Sequence, residues 1–321
     1  MSGSRYRERP LDLSGLQTVS LYSRGGKVRT EDFARPYEEG SGVRGLLSSL
    51  PHILAGDDLR KVARAILIAR DRGRQIIWGM GGHVIKCGMA PILSDLMHRG
   101  LATAFAMNGS ASIHDFEIAL AGYTSEDVEA VLPDGRFGSA DETGREMNCA
   151  IIGGAADGLG VGESLGRALD QLAKPEFADD SLLLKAYRNA APVTVHIAIG
   201  TDTPHTHPAA DGAAIGKASL RDFQLLCSLV AGLDDGGVYL NVGSAVVMPE
   251  VFLKALSATR NVGHRIADFT TVNFDFLQHY RPRLNVVQRP HAQSGGHGYA
   301  LTGHHEILLP LLAAALIEGV D

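Results

Sequence analysis

The sequence predicts an α/β fold: a doubly wound, mostly parallel sheet with helices on both faces. Short apolar runs alternate with longer segments of helical periodicity along most of the chain. Glycine and small polar residues fall where the apolar runs end, as they do in tight strand-to-helix turns. The runs are unequal in length and their turns have no fixed period, which disfavours a closed barrel.

The elements are placed in chain order from these patterns. Asp57 and Asp58 supply a cap for the first helix, and Pro249 suits the first turn of a later one. The glycine-rich stretch Gly153–Gly166 is interpreted as a loop or a crossing between backbones. We predict strands at Gln75–Trp78, Ala102–Met107, Val193–Ile199, Val238–Val242 and Ile266–Val272. We predict helices at Asp58–Arg72, Ala140–Ala155, Leu182–Asn189, Leu220–Ala231, Pro249–Thr259 and Glu306–Glu318, with further helices starting near His83, Ser110 and Ser125.

Length and composition permit one large α/β domain or two small ones. The chain has 321 residues, of which 45% are hydrophobic, so it can bury a sizeable core. Residues 1–45 are polar and contain several glycines and prolines, and we predict that they form an extended arm. Residues 46–321 are predicted to form a single α/β domain of the nucleotide-binding type.

Charge, cysteine usage and hydropathy predict a cytoplasmic protein. A net charge of −6 offers no basic surface for nucleic acid. Cys87, Cys149 and Cys227 are far apart and show no metal-ligand spacing, as is usual in a reducing compartment. The polar N-terminus does not resemble a signal peptide, and the longest apolar run, Ile307–Ile317, is too short to span a bilayer. We therefore expect neither nucleic acid nor a membrane as a partner.

Two consecutive predicted strands end in turns that suit a ligand. Gly81 and Gly82 follow the first strand, and Asn108-Gly109-Ser110 follows the second, with His114 in the next helix. Glycine turns at helix N-termini expose N–H groups to phosphate, and open α/β sheets bind ligands at this edge. The alternative is that the glycines only let a helix pack on a strand. No strict G-x-G-x-x-G is present, so the pattern alone leaves both open.

Other polar residues near predicted turns also have two interpretations. Asp211 precedes Gly212 and either accepts ribose hydroxyls or simply forms a turn. Lys86 either serves as a nucleophile in a closed site or faces solvent. His304 and His305 open the last helix, where histidines have a lowered proton affinity and can act as neutral acceptors, or they are ordinary surface residues.

A metal site is the alternative function that the residues suggest. His205 and His207 form an H-x-H after a predicted strand, as in metal-dependent hydrolases. The chain has 13 histidines, however, so such a pair arises easily by chance, and no carboxylate or lysine ligand follows successive strands. A bound metal is therefore not expected in the leading interpretation.

Taken in order, these segments resemble deoxyhypusine synthase. The similar segments are GGHVIKCG, NGSASIHD, HPAADGAAIG, Gly243-Ser244 before the Pro249 helix, Thr271-Val-Asn273 and HHEILLPLL. The resemblance covers about residues 60–318. It implies a Rossmann-like fold, a homotetramer with sites between paired subunits, and NAD-dependent transfer of a spermidine aminobutyl group. The residues that it places on the NAD are Gly82, His83, Asn108, Asp211, Gly243, Ser244 and Asn273.

The sequence differs from that family at the positions of the family's catalytic and substrate-binding residues. The family's imine-forming lysine precedes the last helix, whereas this chain has SGGHGYAL there and no lysine after Lys254. The family's polyamine-binding acidic stretch is replaced by FDFLQHYRPRLN. Arginines near this stretch predict a small anionic substrate, and they are Arg281, Arg283 and Arg289. The candidates for acid–base catalysis are His114, His297, His304 and His305. Lys86 is the candidate nucleophile in place of the family's imine-forming lysine.

These observations lead to one hypothesis and two alternatives. The leading hypothesis is an NAD-dependent enzyme, a transferase or oxidoreductase, that acts at a C–N or C–O carbon and does not make deoxyhypusine. Its expected partners are a small-molecule substrate and further copies of the same chain. The alternatives are a metal-dependent hydrolase that uses His205 and His207, and a non-catalytic protein that kept the fold.

Overall fold

A computed structural model describes residues 4–319, and a six-stranded sheet lies at their centre. The strands are β1 (Ile76–Met80), β2 (Ala104–Asn108), β3 (Val193–His196), β4 (Val238–Val242), β5 (Thr270–Asp275) and β6 (His297–Thr302). Their order across the sheet is β3-β2-β1-β4-β5-β6, and every neighbouring pair is parallel. The order therefore reverses between β1 and β4, which is the switch point where open α/β sheets bind ligands.

Helices connect the strands and cover both faces of the sheet. They are α1 (Gly42–Ser49), α2 (Leu54–Asp71), α3 (Gly82–Lys86), α4 (Ala90–His98), α5 (Gly109–Ala121), α6 (Val128–Val131), α7 (Asp141–Ala156), α8 (Val161–Leu172), α9 (Leu182–Arg188), α10 (Gly212–Ala231), α11 (Val247–Asn261), α12 (Tyr280–Pro282) and α13 (His305–Glu318). A π-helical turn, Arg283–Gln288, continues α12. The predicted doubly wound α/β fold is confirmed.

Two hydrophobic cores lie on opposite sides of the sheet because alternate strand residues point to opposite faces. Trp78 of β1 belongs to the larger core, together with residues of α2, α4, α5, α8, α9 and α13. Its neighbour Ile77 belongs to the smaller core, with Leu226 of α10 and Phe252 of α11. Every residue of β1 and β4 is buried, as expected for central strands of a parallel sheet covered on both faces.

The sequence missed one strand and misjudged several helix starts. Helix α2 begins at Leu54, so Asp57 and Asp58 lie inside it and do not cap it. β6 pairs with β5 along its whole length, but its polar and glycine-containing sequence, HGYALT, gave no strand signal. Gly298 within it is needed for close packing, since a Cβ there would lie 2.0 Å from the Val287 carbonyl oxygen. Helix α10 begins at Gly212, well before the predicted Leu220, because Asp211 caps it by accepting from the backbone N–H groups of Ala213 and Ala214.

The glycine-rich stretch Gly153–Gly166 contains a helix start as well as a close crossing. Helix α7 ends at Ala156 and helix α8 begins at Val161, so the interpretation as a loop holds only for Asp157–Gly160. The interpretation as a backbone crossing is right, because a Cβ on Gly162 would lie 2.0 Å from the carbonyl oxygen of Val193 in β3. Glycine there lets α8 lie directly against the edge strand.

The N-terminal segment differs from the rest of the chain. Among residues 4–41, the one regular element described is a short 3-10 helix, Thr30–Asp32, and almost every residue is exposed. Two backbone hydrogen bonds hold the segment to the domain, from Arg35 to Ser49 and from His52 to Asp32. None of the described helices is long and apolar enough to cross a membrane.

Candidate functional site

The ends of β1 and β4 approach each other closely at the switch point. The Gly81 N–H donates to the Val242 carbonyl at 3.0 Å. A Cβ on Gly81 would lie 2.1 Å from the Gly243 carbonyl oxygen, so no larger residue fits there. Gly243 itself has a φ of +60°, in the left-handed region that favours glycine. These glycines therefore bring two strand ends together at one edge of the sheet.

Gly82 is held from the other side by α5. A Cβ on Gly82 would lie 2.2 Å from the Ser110 hydroxyl and 3.1 Å from the His114 ring. Part of the predicted glycine turn is therefore the packing turn that the alternative interpretation described. The opposite side of the turn, towards β4 and β6, is where His83, His304 and His305 gather.

An imidazole cluster, formed by His83, His304 and His305 with Phe276, stands at this edge of the sheet. The His83 ring centroid lies 5.5 Å from that of His305 and 5.9 Å from that of Phe276. Phe276 stacks on His304, with centroids 6.0 Å apart and an 8° angle between the ring planes. The cluster forms because β1, β5 and β6 run parallel, so the segments that follow them meet at the same edge.

His305 is the buried member of the imidazole cluster. Its Nε2 lies 3.2 Å from the Phe274 carbonyl and 3.9 Å from an Asp275 carboxylate oxygen, so we assign the ring proton to Nε2. Its Nδ1 is buried and has no hydrogen-bond partner in the structure. Burial lowers the pKa of His305, although Asp275 opposes this shift. The side chain is therefore a neutral imidazole with a lone pair on Nδ1.

Cys87 and Glu306 join His83 in a second grouping. One ligand atom from each of these side chains lies within 4.8 Å of the others, and the Cys87 Sγ is 3.3 Å from the His83 Nε2. Burial and the nearby Glu306 carboxylate raise the pKa of the Cys87 thiol. The sequence analysis set Cys87 aside because it lies far from the other cysteines. The available signal was the spacing of His83 and Cys87, which places both on one side of a helical turn.

The strand ends of β2 and β3 use their polar groups differently. Asn108 caps α5 by accepting from the Ala111 N–H, and Asp211 caps α10. The Asp202 carboxylate lies against Gly109, since a Cβ there would be 2.0 Å from its Oδ2. A carboxylate of the protein therefore already occupies the N-terminus of α5.

His114 and Lys86 are neighbours on this side of the site. The Thr124 hydroxyl donates to Glu117, so its oxygen accepts from the His114 Nδ1 at 2.7 Å, and we assign the ring proton to Nδ1. Burial and the charge of Lys86 lower the pKa of His114 to about 4. His114 is therefore neutral, and Lys86 is exposed beside it.

Asn273 and Ser244 lie beneath the edge, where they hold the strand ends. Asn273 is fully buried and accepts from the Asn241 amide at 2.8 Å, while its own amide donates to Gln278. The Ser244 hydroxyl accepts from the Met248 N–H and so supports the start of α11. The structure therefore does not bring Asn273 to a surface that a dinucleotide could line, contrary to the expectation from the resemblance.

The remaining predicted substrate and acid–base residues do not converge on the switch point. His297 begins β6 and so lies at the amino edge of the sheet, opposite the imidazole cluster. Arg281 pairs with Glu250 of α11 at 3.3 Å, and Arg289 donates to Asn285 at 2.6 Å. Arg283 is exposed on the π-helical turn between them. These residues lie along one helical segment instead of around a pocket.

The alternative metal pair is not assembled as a pair of ligands. His207 Nδ1 accepts from the Ala209 N–H, and its Nε2 lies 3.3 Å from an Asp141 carboxylate oxygen. Both ring nitrogens of His207 therefore have partners. His205 instead lines a small cavity with Met147 and Asn148.

A larger cavity lies at the end of β3, away from the switch point. Its volume is about 360 Å³, and its walls are mostly apolar, with contributions from Ile197, Phe223 and Val251. His196 lines it, but its Nε2 lies 3.0 Å from the Thr194 hydroxyl and burial lowers its pKa to about 4. The cavity lacks convergent polar groups, so its size alone does not make it the chemical site.

Solved structures with the same architecture connect this arrangement to known folds. A protein assigned as a deoxyhypusine synthase, from Entamoeba histolytica, matches with a TM-score of 0.50 and 11% identity, covering 89% of this chain and 96% of its own. The chain has the deoxyhypusine synthase-like fold. AgrE in a ternary complex with ornithine and NAD+ matches with a TM-score of 0.51 and 15% identity, over 81% of this chain and 32% of AgrE. The chain thus spans about a third of AgrE.

A LOR/SDH protein from Methanococcus maripaludis S2 has the same fold, with a TM-score of 0.50 and 17% identity over 81% of this chain and 69% of its own. No protein-family profile and no curated protein matches the sequence. At these identities the likeness concerns the fold alone. It confirms the fold that the sequence resemblance implied.

Proposed function

We propose that the chain is an NAD-dependent enzyme that acts at a C–N or C–O carbon of a small substrate. The observation that carries this proposal is the switch point between β1 and β4, with an imidazole cluster beside it whose buried member, His305, has a lowered pKa. Open sheets of this strand order bind dinucleotides at that position. AgrE, which shares the fold, has been solved in complex with NAD+, and this supports the cofactor assignment.

The residues present suit a dinucleotide at one half of the edge better than at the other. Around the switch point, His83 is exposed and Gly243 is partly exposed, so this half of the edge is open to a ligand, and Ser244 supports the start of α11. At the N-terminus of α5, the Asp202 carboxylate would repel a pyrophosphate. We therefore place the pyrophosphate between β1 and β4, and do not assign it to the Asn108 turn.

The imidazole cluster supplies the proton acceptor that hydride chemistry needs. A bound NAD would accept the hydride from the C–H bond of an alcohol or amine substrate, so the O–H or N–H proton would have to pass to a base of the protein. His83 is exposed and can meet the substrate, while His305 lies behind it with an unpartnered Nδ1. We assign proton transfer to His83 and the positioning of His83 to His305. The substrate becomes a carbonyl compound or an imine.

Fluorescence offers a direct test, since Trp78 is the one tryptophan of the chain and lies in β1. NADH bound at the switch point should quench Trp78 by energy transfer, and the quenching should saturate. His83→Ala should weaken NADH binding at least tenfold. His264→Ala, an exposed histidine after α11, is the matched control and should bind as wild type does. Absence of saturable binding up to about millimolar NADH would remove the cofactor proposal.

A non-catalytic protein would be distinguished from an enzyme by combining the NADH titration with an assay of NAD+ reduction. The non-catalytic alternative predicts saturable NADH binding with no reduction of NAD+ across a panel of hydroxy acids and amino acids. Reduction of NAD+ with any member of that panel, lost in His83→Ala but retained in His264→Ala, supports the enzyme.

A further inference from the structure

We propose that His83, Cys87 and Glu306 form a binding site for one divalent transition-metal ion of the zinc type. This inference goes beyond the proposed function, because it concerns an inorganic ligand. It shares His83 with that proposal, and an imidazole that binds a metal ion through Nε2 cannot also accept a proton there. Among residues 4–319, this is the one place where at least three histidine, cysteine or acidic side chains converge closely enough to share an ion.

The distances are close to those of a tetrahedral site. Zinc binds sulfur at about 2.3 Å and nitrogen or oxygen at about 2.0–2.2 Å, so neighbouring ligand atoms lie roughly 3.5 Å apart. The Cys87 Sγ and the His83 Nε2 are already 3.3 Å apart. All three ligand atoms lie within 4.8 Å of one another, so small side-chain rotations complete the geometry.

Two rigid elements hold the ligands in this position. Val84 and Ile85 of α3 are buried in the larger core, and they fix the turn that carries His83 and Cys87. Glu306 follows the fully buried His305 in the first turn of α13. The three ligands therefore come from anchored backbone, which is the arrangement that precise sites require.

The ligand types select the ion. A thiolate with an imidazole and a carboxylate suits zinc and similar transition metals, whereas magnesium and calcium prefer oxygen ligands alone. Three protein ligands leave a fourth position for water or substrate, as in catalytic zinc sites. His83 and Glu306 are exposed, so that position is open to solvent.

Hydrogen bonding without a metal is the competing explanation. The Cys87 thiol can interact with the Glu306 carboxylate, and this keeps the thiol protonated. A metal ion reverses this preference, because it binds the thiolate and displaces the proton. The two explanations therefore differ in whether Cys87 binds a cation as a thiolate, which spectroscopy detects directly.

Cobalt substitution and zinc competition test the site on the full chain. Protein treated with EDTA should bind one equivalent of Zn²⁺ in competition with a chromogenic chelator. Co²⁺ should give the near-ultraviolet charge-transfer band of a cobalt–thiolate bond. Cys87→Ser should abolish the band and weaken Zn²⁺ binding at least about tenfold. Glu306→Gln, an exposed position that folding tolerates, should weaken Zn²⁺ binding but keep the band.

Cys149→Ser is the matched control, since Cys149 is a free and exposed cysteine. It should keep both the band and the affinity. The proposal is overturned if the wild type binds no stoichiometric Zn²⁺, if Cys87→Ser and Glu306→Gln bind as the wild type does, or if Cys149→Ser loses the band. NADH titration in the presence of EDTA separates this result from the cofactor proposal.

Discussion

The two halves of the sheet's carboxyl edge use the same kinds of residue in opposite ways. After β2 and β3, carboxylates and amides accept backbone N–H groups, as Asn108, Asp115 and Asp211 do. Beyond β1 and β6, polar atoms converge without such partners, as the Nδ1 of His305 and the group of His83, Cys87 and Glu306 show. A polar residue after a strand therefore indicates a site only when the backbone does not already occupy its bonding atoms.

In the half of the edge that follows β2 and β3, substitution of a bonded polar residue should lower the stability of the fold. Asp115 is fully buried and accepts from the Ser181 hydroxyl and from the backbone N–H groups of Leu182 and Leu183. Asp115→Ala leaves buried donors without partners and should lower the free energy of unfolding by about 3 kcal/mol or more. Urea denaturation measures this.

Asp95→Ala is the control for Asp115→Ala, because Asp95 forms an exposed ion pair with Arg99. Asp95→Ala should lower the free energy of unfolding by less than about 1 kcal/mol. A small cost for Asp115→Ala together with loss of NADH binding would mean that the carboxylate belongs to the ligand site, and the distinction between the halves would fail.

In the half of the edge that follows β1 and β6, substitution should weaken NADH binding as well as lower stability. Gly243→Ala places a Cβ 3.1 Å from the His305 ring and from Val84, at a φ of +60°. We expect the free energy of unfolding to fall by about 2 kcal/mol and the NADH affinity to be at least tenfold weaker. Gly73→Ala is a matched control, since its φ is +62° and no atom lies within 4 Å of the new Cβ.

Gly73→Ala should have a similar backbone strain and leave NADH binding unchanged. Denaturation and the Trp78 titration are both measured for the two variants. Equal NADH affinities in Gly243→Ala and Gly73→Ala would show that the switch point does not contact the cofactor.

The buried Asp222 carboxylate, which bonds to the backbone of β3, should make the free energy of unfolding depend on pH. Burial raises the pKa of Asp222 to about 7, although the N–H groups of Val195 and Gly162 oppose this shift. An unfolded aspartate titrates near pH 4, so the proton stabilises the folded state. This stabilisation is fully present below about pH 4 and is lost as the pH rises through about 7.

Asp222→Asn removes this proton equilibrium. The difference in the free energy of unfolding between wild type and Asp222→Asn should therefore change between about pH 4 and pH 7 and level off at higher pH. Comparing the two proteins cancels the titration of other groups, such as His196. A constant difference across that range would show that Asp222 is ionised throughout.

The smallest effect is expected at the alternative metal pair. His205→Ala and His207→Ala remove neither a ligand of the proposed site nor a residue of the switch point. Zinc stoichiometry and NADH affinity should change less than twofold in either variant. Loss of zinc in His205→Ala would instead support the metal-dependent hydrolase.

Five of the six described strands and most of the longer helices could be predicted, because local patterns determine them. Val238–Val242 is mostly apolar and begins and ends with a β-branched valine, and the structure has the strand β4 with these bounds. β6 could not be found, since its pairing with β5 depends on packing around Gly298 and on no local apolar run. Asp211 was interpreted as a turn former or a ribose ligand, while its role as a cap shows only in the hydrogen bonds.

The candidate site was only half visible in the sequence. His83 and His305 were named, but separately, because their contact depends on how β1 and β6 are placed in the sheet. Glu306 was named only as the start of the last predicted helix, and its convergence with Cys87 is a tertiary contact that no spacing predicts. Asn273 showed the opposite error, since a polar residue at a strand end proved to be fully buried.

A crystal structure of the protein soaked with NAD+ tests the proposed function most directly. We predict electron density for the pyrophosphate against Gly82 and Gly243, with the nicotinamide near His83. Density at the Asn108 turn or in the apolar cavity beside His196, with none at the switch point, would contradict the assignment. It would also show that the half of the edge with occupied polar groups is the one that binds the ligand.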